Sequence, residues 1–275
     1  MKKLTWRQIK NRYHYSIILL KELVRTDFKV RYQGSVLGYL WSLLRPLFMF
    51  VILYFIFVYF LKIGQGIPHW PVALLLGTVT WNFFTEITNQ GLKAIVGKGG
   101  IIRKINFPKY IIIVSTSISA LINLLLNLAV VAIFLVINHV TPSWWWLLVP
   151  VFLFEVYIFA VGCAFILSTL YVKFRDINFI WDIVLQGGFY ASAVLFPVSR
   201  VANESALAAK IMLMNPVAQA IQDARHALLP ATMPPANDYI NHHLLLWVPF
   251  VIVLVILAIG AWYFRKRSPY FAEEI

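Results

Sequence analysis

Apolar residues in this chain fall in long blocks rather than in the short alternating periods of a soluble fold. From Tyr39 to Leu61 there is one charge, Arg45, over a length that covers the roughly 30 Å hydrocarbon core of a bilayer. Comparable blocks follow at about 71–91, 110–138, 146–170, from near Asn178 to near Phe196-Pro197, and 244–264. Gly187 and Gly188 are expected to interrupt the fifth. Between the fifth and sixth, Pro197, Asn215-Pro216, Pro230, Pro234 and Pro235 break several shorter apolar stretches. Ala206 to Met214 and Val217 to Leu229 are each too short to span and read as re-entrant or interfacial helices on the outer side. Ahead of the first block, Ile17, Ile18, Leu19, Leu20, Leu23, Val24 and Phe28 form an apolar stripe flanked by Lys21, Arg25, Lys29 and Arg31. That pattern fits a helix lying in the membrane interface, with a soluble packing helix as the alternative. The predicted fold is all-α and polytopic. An amphipathic arm (residues 1–36) leads into one six-helix transmembrane domain (37–264) and a cytoplasmic tail (265–275).

Composition agrees with that pattern. Of the 275 residues, 61% are hydrophobic and 13% charged, where a soluble domain carries about 25% charge. The net charge of +13 is a topology signal. Nineteen of the 24 Lys and Arg fall in the arm, the 92–110 loop, the 171–177 turn and Arg265-Lys266-Arg267, which the positive-inside rule makes cytoplasmic. The outer side keeps Lys62, Arg200, Lys210 and Arg225. Both termini are therefore expected inside. No basic stripe lies on a soluble fold, which argues against nucleic acid. The lone Cys163 sits inside an apolar block as a small packing residue, and no removable signal peptide is expected.

Candidate chemistry is concentrated on helix faces. Steps of four and three place Trp41, Arg45, Phe48, Ile52, Phe55 and Tyr59 on one face of the first block. Either Arg45 snorkels to headgroups there, or the face lines a polar cavity. The second block carries Thr78, Thr80, Asn82, Thr85, Glu86, Thr88, Asn89 and Gln90, with Gly77, Trp81, Phe84 and Thr88 on one face. It reads as a helix buried in a bundle and touching a pathway, or as polar glue between helices. Trp144, Trp145 and Trp146 sit at interface level, with carbohydrate stacking as a second role. Glu86 and Glu155 are costly inside a membrane, yet no chain of partners makes them a proton relay.

The 92–110 loop holds five basic residues and no acid. Its Gly91 to Lys98 stretch fails as a phosphate-binding loop. The spacing is one residue too long, and Gly99 stands where Ser or Thr should follow. If ATP is used, another protein binds it. The histidines are scattered away from acids at ligand spacing, and no nucleophile–base pair can be assembled. An enzyme acting on lipid is therefore not expected.

Five blocks in order then carry a resemblance: Val30-Arg31-Tyr32-Gln33-Gly34-Ser35-Val36-Leu37-Gly38-Tyr39-Leu40-Trp41-Ser42-Leu43-Leu44-Arg45-Pro46-Leu47, Trp81-Asn82-Phe83-Phe84, Ile102-Arg103-Lys104-Ile105-Asn106-Phe107-Pro108, Lys173-Phe174-Arg175-Asp176-Ile177, and Asn215-Pro216 with Arg225 downstream. Over nearly its whole length the chain resembles the membrane-spanning subunit of ABC exporters for polysaccharide, O-antigen or teichoic acid. Arg45 departs from the uncharged polar residue expected before that proline.

The resemblance implies a homodimer in a bacterial cytoplasmic membrane. Two copies of a separate ABC ATP-binding subunit would carry ATP and Mg, with no cofactor on this chain and a lipid-linked polysaccharide as substrate. It implies a pathway lined by Trp41, Arg45, Phe48, Phe55, Tyr59, Trp81, Phe84 and Tyr190. Coupling to the ATPase would fall to Lys98, Ile102, Arg103 and Lys104, with Arg175 and Asp176 on the inner turn 171–177. Asn215, Pro216 and Arg225 would mark the outer re-entrant region. Two other readings stay open: an ABC permease for a small drug or lipid, and a passive channel or membrane scaffold.

Overall fold

The computed structural model describes residues 6–32, 37–240 and 243–275, so the ends of the arm (1–5 and 33–36) lie outside the described residues. Among those described there are helices and connecting turns but no strand. The arm is α1 (Trp6–Tyr32), and a short 3-10 turn leads from it into α2 (Trp41–Leu53). The same rod then widens into a π-helix, Tyr54–Phe60. Next come α3 (Trp70–Gly97), α4 (Gly99–Lys104), α5 (Tyr110–Ile137), α6 (Val149–Lys173) and α7 (Ile177–Ala191). Three short helices follow, α8 (Val198–Glu204), α9 (Ala206–Leu213) and α10 (Pro216–Leu228). The chain closes with α11 (His243–Leu246), α12 (Val248–Arg267) and α13 (Phe271–Glu274).

The core is the packing of α6 against α3 and α12, with α5 packed on α3 and reaching α6 through Ser117 and Tyr157. Leu74, Leu75, Leu76, Ile87, Ile95, Ile112 and Ile113 are fully buried in it. Phe165 of α6 meets Phe264 of α12 at 5.0 Å between ring centroids. The hydroxyls of α3 and α5 are satisfied locally. Thr78, Thr80 and Thr88 donate to carbonyls four residues back, and Ser115, Thr116 and Ser119 do likewise at three or four. Glu86 of α3 accepts from Asn123 of α5 at 2.6 Å and from Gln90 at 2.8 Å. The polar load of α3 is therefore largely helix–helix glue and internal hydrogen bonding.

Among the described residues, four helical segments are long and apolar enough to cross a membrane: 41–60, 110–137, 144–173 and 248–274. The two other expected spans exist as helices. α3 is 28 residues long but carries polar side chains along its second half, and α7 has only 15 residues. The fifth block differs from expectation in two ways. Gly187 and Gly188 do not break it, and the helix stops at Ala191, short of Phe196-Pro197. Gly188 serves close approach instead, since a Cβ there would meet the Trp81 ring at 2.8 Å. The helix gives way to a turn in which Ala193 has φ 51°, a conformation unfavourable to continuing α-helix. The arm packs by Leu23 into the core and by α1 along α5, leaving Ile17 and Ile18 exposed.

Candidate functional site

Three regions gather the residues singled out by sequence. Among the described side chains of α2 and the π-helix, only Phe50 and Leu53 are buried, and Trp41, Phe48, Phe55 and Tyr59 are open. A π-helix turns in more than four residues, so the expected 3.6-residue stripe shifts beyond Leu53. The shift brings Phe55, Tyr59 and Phe60 together. Phe55 and Tyr59 stack at 5.1 Å, and Phe60 lies 5.7 Å from Phe55. Tyr59 is 66% exposed. Phe60 was not among the sequence candidates, because the π register cannot be read from a uniformly aromatic run. Arg45 belongs to α2 by its backbone, and its side chain lies outside the described part of the structure.

Trp81 and Phe84 occupy a different setting. They are only 6% and 4% exposed within one chain. Phe84 stacks on Phe159 of α6 at 5.5 Å, and Trp81 touches Phe84 and Phe189 of α7. Phe189 in turn meets Tyr190, which is open on α7 beside exposed Phe179, Ile180 and Ile183. A continuous run of rings thus passes from inside the bundle to the open face of α7.

The second region is the shelf of α4 and the α6–α7 turn, where α13 packs on both α4 and α6. Ile102 is buried and anchors α4, while Arg103, Lys104, Arg175 and Asp176 are exposed. Arg175 lies over the Tyr171 ring at 5.0 Å. Lys98 donates to both oxygens of Asp27 in α1, at 2.8 and 3.0 Å, and so ties the arm to the shelf. The tail supports α4 from behind. Phe271 is fully buried, its ring set edge-on to Phe264, and Ile275 fills the space beside Gly99. Lys109, at the start of α5, donates to the carbonyl of Ser268. Burial pulls its ammonium below the usual lysine range, and Glu273 opposes that shift.

The third region is the clamp around Arg225. This side chain is fully buried. Its Nε donates to the Ala73 carbonyl at 2.9 Å, Nη1 to Ala193 at 2.8 Å and Nη2 to Val194 at 2.6 Å. The guanidinium also lies over Trp70 at 5.1 Å, a cation–π geometry. One side chain on α10 thereby fixes the start of α3 and the turn after α7. Gly77 makes room for it, because a Cβ there would sit 2.5 Å from Nη2. Asn215 caps α10 by accepting from the Val217 N–H, and its amide donates to Ser192 at the end of α7. Pro216 follows at the first helical position. Trp70, Gly77 and the Asp27–Lys98 pair were not singled out for these roles, since each works through a partner distant in sequence.

A family model described as ABC-2 type transporter matches residues 18–229 of this chain. The chain belongs to that family. It is 27% identical to an O-antigen export system permease protein, RfbA, of Myxococcus xanthus over 269 residues, covering 98% of this chain and 99% of the relative. A protein of the same description from Klebsiella pneumoniae is 30% identical over 268 residues, covering 96% and 98%. A polysialic acid transport protein, KpsM, of Escherichia coli is 23% identical over 263 residues, covering 91% and 94%. The resemblance to permeases of polysaccharide exporters, read from five blocks of residues, is borne out over almost the full length. With its apolar helices, this family membership makes the chain a multi-pass membrane permease.

Proposed function

We propose that this chain is the transmembrane subunit of an ATP-driven exporter that moves a lipid-linked surface polysaccharide across the bacterial cytoplasmic membrane. Near-full-length likeness to O-antigen permeases carries the reading. The open aromatic face of α2 and the π-helix suits it physically. Flat apolar sugar faces stack on rings without locking one register, so a chain can slide. α2 with the π-helix, α3, α5, α6, α7 and α12 form six spans with both termini inside, and α8 to α10 form the outer re-entrant region. Two copies pair so that the faces bearing Trp41, Arg45, Phe48, Phe55, Tyr59 and Tyr190 line the route. Trp81 and Phe84 back it from within the bundle.

ATP and Mg belong to a separate subunit, which docks on the shelf of α4 and the α6–α7 turn through Lys98, Arg103, Lys104, Arg175 and Asp176. The test is depletion of the chain in its native host. Surface polymer should fall while its lipid-linked form accumulates inside. Unchanged surface polymer, with only a change in small-molecule resistance, would contradict the polysaccharide reading and favour a drug or lipid permease.

A further inference from the structure

At the end of the bundle opposite α4, a cavity of about 320 Å³ opens between α6, α10 and α12, a volume within the range of small-molecule sites. It is separate from the aromatic face of α2. Its walls combine the rings of Trp145, Phe152 and Phe250 with the polar side chains of Gln219, Asp223, His226 and Asn237. Gln219 is only 4% exposed, and its Oε1 has no partner among the described residues. A buried acceptor of that kind costs about 1–3 kcal/mol unless something donates to it.

The rest of the lining defines what that something is. Both Asp223 oxygens already accept an N–H, one from Gln219 Nε2 and one from the Ala236 backbone. His226 is turned by a 2.6 Å bond between Nδ1 and the Met233 carbonyl. A carbonyl only accepts, so Nδ1 carries the hydrogen and Nε2 is the ring nitrogen left to meet a ligand. The wall therefore offers acceptors at Gln219 and Asp223 and an amide at Asn237, with aromatic surface beside them: Trp145, half-exposed, lies 5.8 Å from the His226 ring. Among the described lining residues there is no Lys or Arg to hold a phosphate or carboxylate.

We propose that this cavity is a binding site for a neutral sugar unit, its hydroxyls donating to Gln219, His226 and Asp223 and one apolar face lying on Trp145. A hydroxyl group could come from a glycan or from the glycerol of a lipid headgroup. The absence of a cation from the described lining favours the glycan. The proposal rests on the polysaccharide reading for its biological source but not for its chemistry, so binding can be measured without transport.

The experiment is saturation-transfer NMR on the full chain in nanodiscs, with the methyl glycosides of glucose, galactose and mannose and, separately, glycerol 1-phosphate. At least one glycoside should receive saturation, the signal falling at least about fivefold in Gln219→Leu and in Trp145→Ala. Trp145 is half-exposed, so the second variant tests the site without disturbing the core. Glycerol 1-phosphate should give no transfer. No transfer to any glycoside overturns the proposal, as does equal transfer in both variants. Stronger transfer to glycerol 1-phosphate reassigns the cavity to a lipid headgroup. In each case polymer export, assayed by depletion, stands or falls independently.

Discussion

A buried guanidinium is tolerable only where its N–H groups find acceptors, and Arg225 finds three backbone carbonyls from two distant parts of the chain. Those carbonyls lie in the first turn of α3 and in the turn after α7, so one side chain of α10 cross-links the two. Replacing Arg225 with Met keeps much of the volume but removes every donor, and should cost about 1–3 kcal/mol, the penalty of leaving a buried acceptor unpartnered. Gly77→Ala presses a methyl against the same guanidinium and should cost about 1–3 kcal/mol, the range of core overpacking. Thermal unfolding in detergent, followed by size-exclusion profile, reads both. A native midpoint for Arg225→Met would contradict the clamp. The arginine was legible in sequence as part of a block, but its partners were not. They are main-chain oxygens at Ala73, Ala193 and Val194, which no side-chain pattern can reveal.

At the scale of elements, α4 is too short to hold itself in place and takes its position from α1 and α13. The Lys98–Asp27 pair is partly exposed, at 17% and 23% of the two side chains, so its worth is about 1 kcal/mol at most. Its effect is orientation. Lys98→Asp should weaken stimulation of the partner's ATP hydrolysis, and adding Asp27→Lys should restore it. A double variant as impaired as the single would show that the pair is incidental. Phe271→Ala removes a fully buried ring behind α4 and should cost about 3–5 kcal/mol in stability. The same unfolding assay measures it.

Hydropathy made α2, α5, α6 and α12 legible as elements because lipid and core both select apolar residues. The ends of α7 were harder. Gly187-Gly188 reads as a break, yet Gly188 is used to admit Trp81, a packing demand from another helix. The π-helix was hidden for a related reason. Tyr54 to Phe60 is apolar at every position, so periodicity carries no register there.

In the molecule as a whole, the surfaces of α2 with its π-helix and of α7 have few neighbours within one chain. Patches of that size and character meet lipid or protein. Because Phe48, Phe55 and Tyr59 are exposed in the single chain, their joint replacement by Ala should leave folding nearly unchanged, within about 0.5 kcal/mol per site. It should nevertheless reduce polymer export by at least about tenfold. Loss of folded protein together with export would instead make these rings packing residues.

We propose above all that this permease works through a separate ATPase seated on the shelf of α4 and the α6–α7 turn. The most direct test is recovery of the protein from native membranes in mild detergent, with its partners identified and counted. An ABC ATP-binding subunit in equimolar amount is expected, and it should be lost when Arg103 and Lys104 are both changed to Glu. Recovery of the folded chain with no such subunit, at any salt or nucleotide concentration, would contradict the account and point to a passive channel or scaffold.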